Sequence, residues 1–137
     1  MMLSTLILQG YGEKEDFNCA EKLLYGANQV YHLGLDEQSL KMAAGFGGGM
    51  AIESVCGALT AAIMVLGCLF VKDNAHESSR IKNLTQELFM NYRKEMNNIN
   101  CDSLKAEHRT DELKCRKVIA KAAEILDKII EREIRNC

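Results

Sequence analysis

Apolar positions recur every three to four residues along most of the chain, and strand-like alternation never lasts more than a few residues. A first helix is predicted from about Asp16 to Leu33, with Ala20, Leu23, Leu24, Ala27, Val30 and Tyr31 on one stripe and Gly34 as its left-handed stop. Asp36 reads as the N-cap of a short helix to about Ala44, which the glycines from Gly45 to Gly49 break. Ala51 to Val71 is almost wholly apolar and predicts a third helix. A fourth, from about His76 to Asn97, carries Ile81, Leu84, Leu88, Tyr92 and Met96 on one face. Asn97 to Ser103 reads as a loop. Thr110 or Asp111 caps a last helix to about Arg135, with Cys115, Val118, Ile119, Ala122, Ile125, Leu126 and Ile129 inward. Residues 1–15 read as a short helix or an extended segment. The expected fold is all-α: one domain over residues 1–137, a compact bundle of about five helices around a central apolar one.

Ser54 to Val71 is eighteen residues without a charge, the length at which a membrane span enters consideration. Half of these positions are small or polar, and no aromatic belt or basic flank marks the ends. A helix that is apolar all round equally suits the centre of a bundle, and that reading is preferred. The absence of proline leaves every backbone N–H free to bond, which fits an uninterrupted helical fold. A net charge of −2 gives no electrostatic reason to expect nucleic acid. Lys114, Lys117 and Lys121 form a stripe that Glu124 and Asp127 continue, the pattern of a solvated face.

Six cysteines in 137 residues fall below the roughly 8–10% of a disulfide scaffold. Leu3–Leu8 lacks a basic flank and a cleavage site, so a secretory signal is not expected and a cytoplasmic location is. There, cysteines serve as ligands, redox centres or plain core. The loop Gly45-Phe46-Gly47-Gly48-Gly49 is neither a dinucleotide fingerprint nor a Walker loop. It is either a tight crossing between helices or a backbone cradle in which Gly47, Gly48 and Gly49 approach an anion, metal or cluster. Cys56, placed about one turn into the following helix, has the dipole that lowers a thiol pKa, although a buried cysteine there is equally ordinary. Cys68 reads as core and Cys137 as a frayed terminus. His108, between Cys101 and Cys115, is a candidate ligand or a solvated position; His32 and His76 lie near helix ends.

Phe17-Asn18-Cys19-Ala20, Gly45-Phe46-Gly47-Gly48-Gly49-Met50, Val55-Cys56-Gly57-Ala58-Leu59-Thr60-Ala61, and then Cys101 and Cys115 together resemble the C-GCAxxG-C-C family of redox-active proteins. The resemblance runs from about Asp16 to the end. It implies a small all-helical protein whose four motif cysteines are Cys19, Cys56, Cys101 and Cys115. A similar domain in split-Soret cytochromes associates cysteines with an iron–sulfur centre; this chain has no CxxCH haem motif. Ala61 stands where the family has glycine, and Asp102-Ser103-Leu104-Lys105 departs from the usual sequence after the third cysteine. Two chemistries follow. Four thiolates hold an iron–sulfur cluster or another thiophilic metal for electron transfer or metal handling. Alternatively the same cysteines are a metal-free thiol–disulfide system, with Cys56 as nucleophile and Cys19 or Cys101 resolving it. A helical interaction protein with inert buried cysteines is the third reading. The redox partner is unspecified, a membrane is not expected, and a homodimer is only the default for a soluble chain.

Overall fold

The computed structural model describes residues 1–136; Cys137 lies outside the described residues. Among them are seven α-helices: α1 (Leu3–Leu8), α2 (Cys19–Tyr31), α3 (Glu37–Leu40), α4 (Gly57–Phe70), α5 (Arg80–Met96), α6 (Cys101–His108) and α7 (Arg116–Arg135). The all-α architecture agrees with the periodicity. The boundaries differ where local chemistry overrides it.

Helix α2 starts at Cys19 because Asn18 and Glu21 form a reciprocal cap. The Glu21 N–H donates to Asn18 Oδ1 at 3.0 Å, and the Asn18 N–H donates to Glu21 Oε1 at 2.9 Å. His32, not Gly34, takes the left-handed position at its end. Asp36 caps α3 as expected, and the chain runs on as a tighter turn over Lys41–Phe46. The predicted start of the third helix is displaced: Gly48, Gly49, Met50 and Ala51 have φ between 62° and 65°, so the chain makes a left-handed turn there. Left-handed backbone costs a residue with a side chain about 1–2 kcal/mol, and Met50 and Ala51 both carry it.

Helix α4 is the central element, packing against α2, α5 and α7. Ala58, Leu59, Ala61, Ala62, Val65 and Leu66 are all fully buried, which accounts for its hydropathy without a membrane. No helix among the described residues is long and apolar enough to cross one. Its C-terminal half comes nearer to solvent, so Cys68 is exposed and not core as expected.

Helix α7 contributes the longest apolar face, and it holds one surprise. Asp127, expected on a solvated face, is 2% exposed. Its carboxylate accepts from the backbone N–H groups of Leu3 and Ser4, at 3.1 and 2.9 Å, and from the Tyr31 hydroxyl. It thereby caps α1 from another helix, supplying an anion to two N–H groups that a helix start leaves unpaired. A six-residue helix is too short to persist alone; Leu3, Leu6 and Ile7 buried beside α7 and α2 complete its attachment.

Candidate functional site

The four motif cysteines occupy equivalent places. Cys19 is the first residue of α2 and Cys101 the first of α6; Cys56 immediately precedes α4 and Cys115 immediately precedes α7. Each sulfur therefore belongs to a helix N-terminus, where unpaired N–H groups and the helix dipole favour negative charge. Two of these positions correct the sequence reading. Cys56 precedes its helix because the left-handed turn delays the start. Cys115 is not on the buried stripe of α7, because Thr110–Lys114 forms a closed turn with Lys114 at φ 52°.

Backbone links hold these elements together. The Cys56 N–H donates to the Ile99 carbonyl at 2.8 Å and the Cys101 N–H to the Ser54 carbonyl at 2.6 Å, which ties the two cysteine segments side by side. The glycines make the approach possible. A Cβ on Gly57 would lie 2.7 Å from Cys19 Sγ and 2.6 Å from the Phe46 carbonyl oxygen. One on Gly49 would lie 2.5 Å from Ser54 backbone atoms and 2.9 Å from Cys101 Cβ, and one on Gly47 would collide with Asn18. Gly47 and Gly49 thus serve close packing. Gly48 faces the site and offers its N–H to Cys19.

Electrostatics divide the sulfurs. The neighbouring Cys56 thiol is the largest influence on Cys19, and the backbone N–H groups of Gly48, Ala20 and Gly57 add to it; together they lower the Cys19 pKa to about 6 against the opposing effect of burial. Cys56 moves the other way, well above its ordinary range, because of the neighbouring Cys19 sulfur and its burial at 4% exposure. The two shifts run opposite to the order expected from sequence: the lowered pKa is at Cys19 and the raised one at Cys56. Burial raises Cys101 and Cys115, leaving both as thiols at neutral pH.

Cys19, Cys101 and Cys115 open on a cavity of about 260 Å³ together with Gly48, Phe17 and Ile119. Cys56 is buried and is not on its wall. Lys22, Lys105, Arg109 and Lys114 complete the lining. The sequence reading missed these four cations, and it put Lys114 on a solvated face. Tyr92, read only as core, is fully buried, donates to the Val118 carbonyl at 3.1 Å, and has its pKa raised by burial and by nearby Cys56, Cys115 and Cys19. His108 is not aimed at the sulfurs: its Nε2 meets the Met96 carbonyl at 3.3 Å and Glu107 at 3.4 Å.

A family model described as "Putative redox-active protein (C_GCAxxG_C_C)" matches residues 17–129. The chain belongs to this family. The matched span contains all four motif cysteines, the glycine turn and all of α2 to α6, so the helix-terminal cysteine arrangement lies within the family's domain. Comparison with curated proteins and with solved structures gave no match.

The resemblance implies a metal or cluster on the four cysteines. Among the described residues, no group of three or more His, Cys, Asp or Glu is arranged to hold a metal ion. The four cysteines share one region, but as placed they do not form a ligand shell of the kind in which each sulfur lies about 2.3 Å from a common ion.

Proposed function

We propose that this protein is a thiol–disulfide redox protein in which Cys19 is the nucleophile and Cys56 the resolving thiol. What supports this reading is the closeness of the two cysteines, with Gly57 beside Cys56 abutting the Cys19 sulfur, together with the opposite directions in which their thiol pKa values move and the place of Cys19 on the cavity wall. A thiolate is the attacking species in disulfide exchange, and a thiol pKa near ambient pH is close to optimal for it. Cys56 stays protonated and shielded until Cys19 has formed a mixed disulfide. It then loses its proton, attacks Cys19 Sγ and releases the partner's thiolate. Cys101 and Cys115, held as thiols, do not compete for the first attack.

The specific observation favouring a second reading, a cluster on all four cysteines, is that four helix N-termini carry them. That reading requires the sulfurs to close around a common centre. Alkylation of the anaerobically reduced protein across pH tests the first. Cys19 modification should be half-maximal near pH 6 in the wild type and at distinctly higher pH in C56A, which lacks the donor. A Cys19 profile centred above pH 8, unchanged in C56A, would remove the basis of the proposal.

A further inference from the structure

The cavity in front of Cys19 has a charge that disulfide exchange alone does not require. Lys22, Lys105, Arg109 and Lys114 line it, and no carboxylate does. Lys22 and Lys105 each also meet a carboxylate, Glu13 at 3.9 Å and Glu53 at 3.3 Å, whereas Arg109 and Lys114 form no ion pair among the described residues. The four cations thus meet the Cys19 sulfur on the cavity wall, while Lys22 and Lys114 also line a neighbouring cavity with Glu13, Asp16 and Glu112. Lys114 is brought to the wall by a turn in which Thr110 and Lys114 exchange backbone hydrogen bonds of 2.7 and 3.3 Å, and this turn holds Lys114 itself in the left-handed region. The volume of about 260 Å³ lies below the roughly 300–1,000 Å³ of pockets for drug-sized ligands. A cationic site of that size suits a small dianion.

We infer that the cavity takes a small disulfide bearing a carboxylate at each end, and that this dianion is the oxidant of the Cys19–Cys56 pair. The inference rests on the dithiol reading and names its substrate class. The Cys19 thiolate attacks one sulfur of the bound disulfide, whose S–S bond breaks. One carboxylate-bearing thiolate leaves and takes a proton from water. Cys56 then gives its proton to solvent and attacks Cys19 Sγ, and the second small thiolate leaves. Two electrons pass from the two cysteines to the substrate, yielding a Cys19–Cys56 bond and two small thiols. The lysines and arginine hold the carboxylates and stabilise each departing thiolate, a role that a neutral wall cannot fill.

The test uses three disulfides of similar size and different charge: dithiodiglycolate (dianionic), bis(2-hydroxyethyl) disulfide (neutral) and cystamine (dicationic). Each is mixed with the anaerobically reduced full chain at pH 7. The rate is read from loss of the Cys19 thiolate absorbance and divided by the rate of the same disulfide with 2-mercaptoethanol. The order expected is dianion, neutral, dication, with the dianion at least about tenfold faster than the neutral compound, the lower end of electrostatic steering by a charged cleft. Salt should compress the series, and in R109Q/K114Q the ratio of dianion to neutral rate should fall toward unity. Circular dichroism and thermal melting establish that this variant is folded. Equal normalised rates across the series, or a fastest dication, would overturn the substrate class while leaving the dithiol standing. If no disulfide of any charge converts Cys19 and Cys56 to a disulfide, the dithiol reading and this inference fall together.

Discussion

The Cys19 thiolate has a consequence for folding stability that can be measured without a substrate. A thiol with an ordinary pKa of 9.0 in the unfolded chain and about 6 in the fold binds fewer protons when folded across the interval between those values. Its contribution is therefore present in full above pH 9 and fades as the pH falls toward 6. Linkage puts it at about 1 kcal/mol at pH 7 and about 3 kcal/mol at pH 8, relative to strongly acid solution, and close to zero at pH 5. Cys56 is shifted upward, so its own linkage acts only above pH 9 and does not enter this window. The perturbation is C19S, which keeps the size and cannot ionise. Urea unfolding of both proteins, reduced and anaerobic, at pH 5, 6, 7 and 8 gives the difference in stability free of the other titrating groups. That difference should change in the wild type's favour by on the order of 2–3 kcal/mol between pH 5 and 8. A difference that stays flat across the range would refute a native thiolate at Cys19.

Other perturbations address the framework. D127N exchanges one acceptor oxygen for a donor that faces the donors of α1, and should cost about 1–3 kcal/mol in urea unfolding, with faster hydrogen exchange at Leu3 and Ser4; wild-type stability and exchange would contradict the cross-helix cap. G49A places a methyl against Ser54 and Cys101 on a left-handed backbone and should cost at least about 2 kcal/mol. G45A meets open space and should change stability by no more than about 0.5 kcal/mol; equal effects at the two glycines would remove the packing argument. A51G relieves the left-handed strain and should stabilise by up to about 1 kcal/mol; a destabilised A51G would mean that the turn does not carry it.

The parts of the fold legible in the sequence are those where one face is apolar over several turns. The stripe of α5, from Leu84 through Leu88 and Tyr92 to Met96, is buried as the spacing predicts. The central role of α4 follows from its small and apolar composition on every side. Helix α6 was not legible because its Asn-rich approach reads as loop and only Cys101 and Leu104 face inward. The start of α7 was misplaced because Cys115 stands three residues before Val118, in phase with the stripe, while a closed turn governs the backbone there. Asp127 did carry a signal: it is in helical phase with Ala120, Ala123 and Ile130, all buried, and the charge pattern of the neighbouring stripe concealed it. The order of the cysteines picks out the family's four positions, but not which sulfur has the lower pKa. That depends on which one receives N–H donors and which is enclosed, a property of the tertiary fold. The cations of the cavity come from α2, α6 and the segment from Arg109 to Lys114 before α7, and nothing along the chain marks them as neighbours.

The central claim is that Cys19 and Cys56 are a redox pair. It is tested most directly by purifying the protein without oxygen, assaying bound iron and zinc, titrating it with a mild disulfide oxidant, and mapping the product by peptide mass analysis. The account predicts a protein free of stoichiometric metal that loses two thiols and yields one disulfide, between Cys19 and Cys56, with Cys101 and Cys115 still reduced. Stoichiometric iron with sulfur-to-iron charge-transfer absorption that disappears on mutation of all four cysteines, or a protein whose thiol count does not fall, would contradict it.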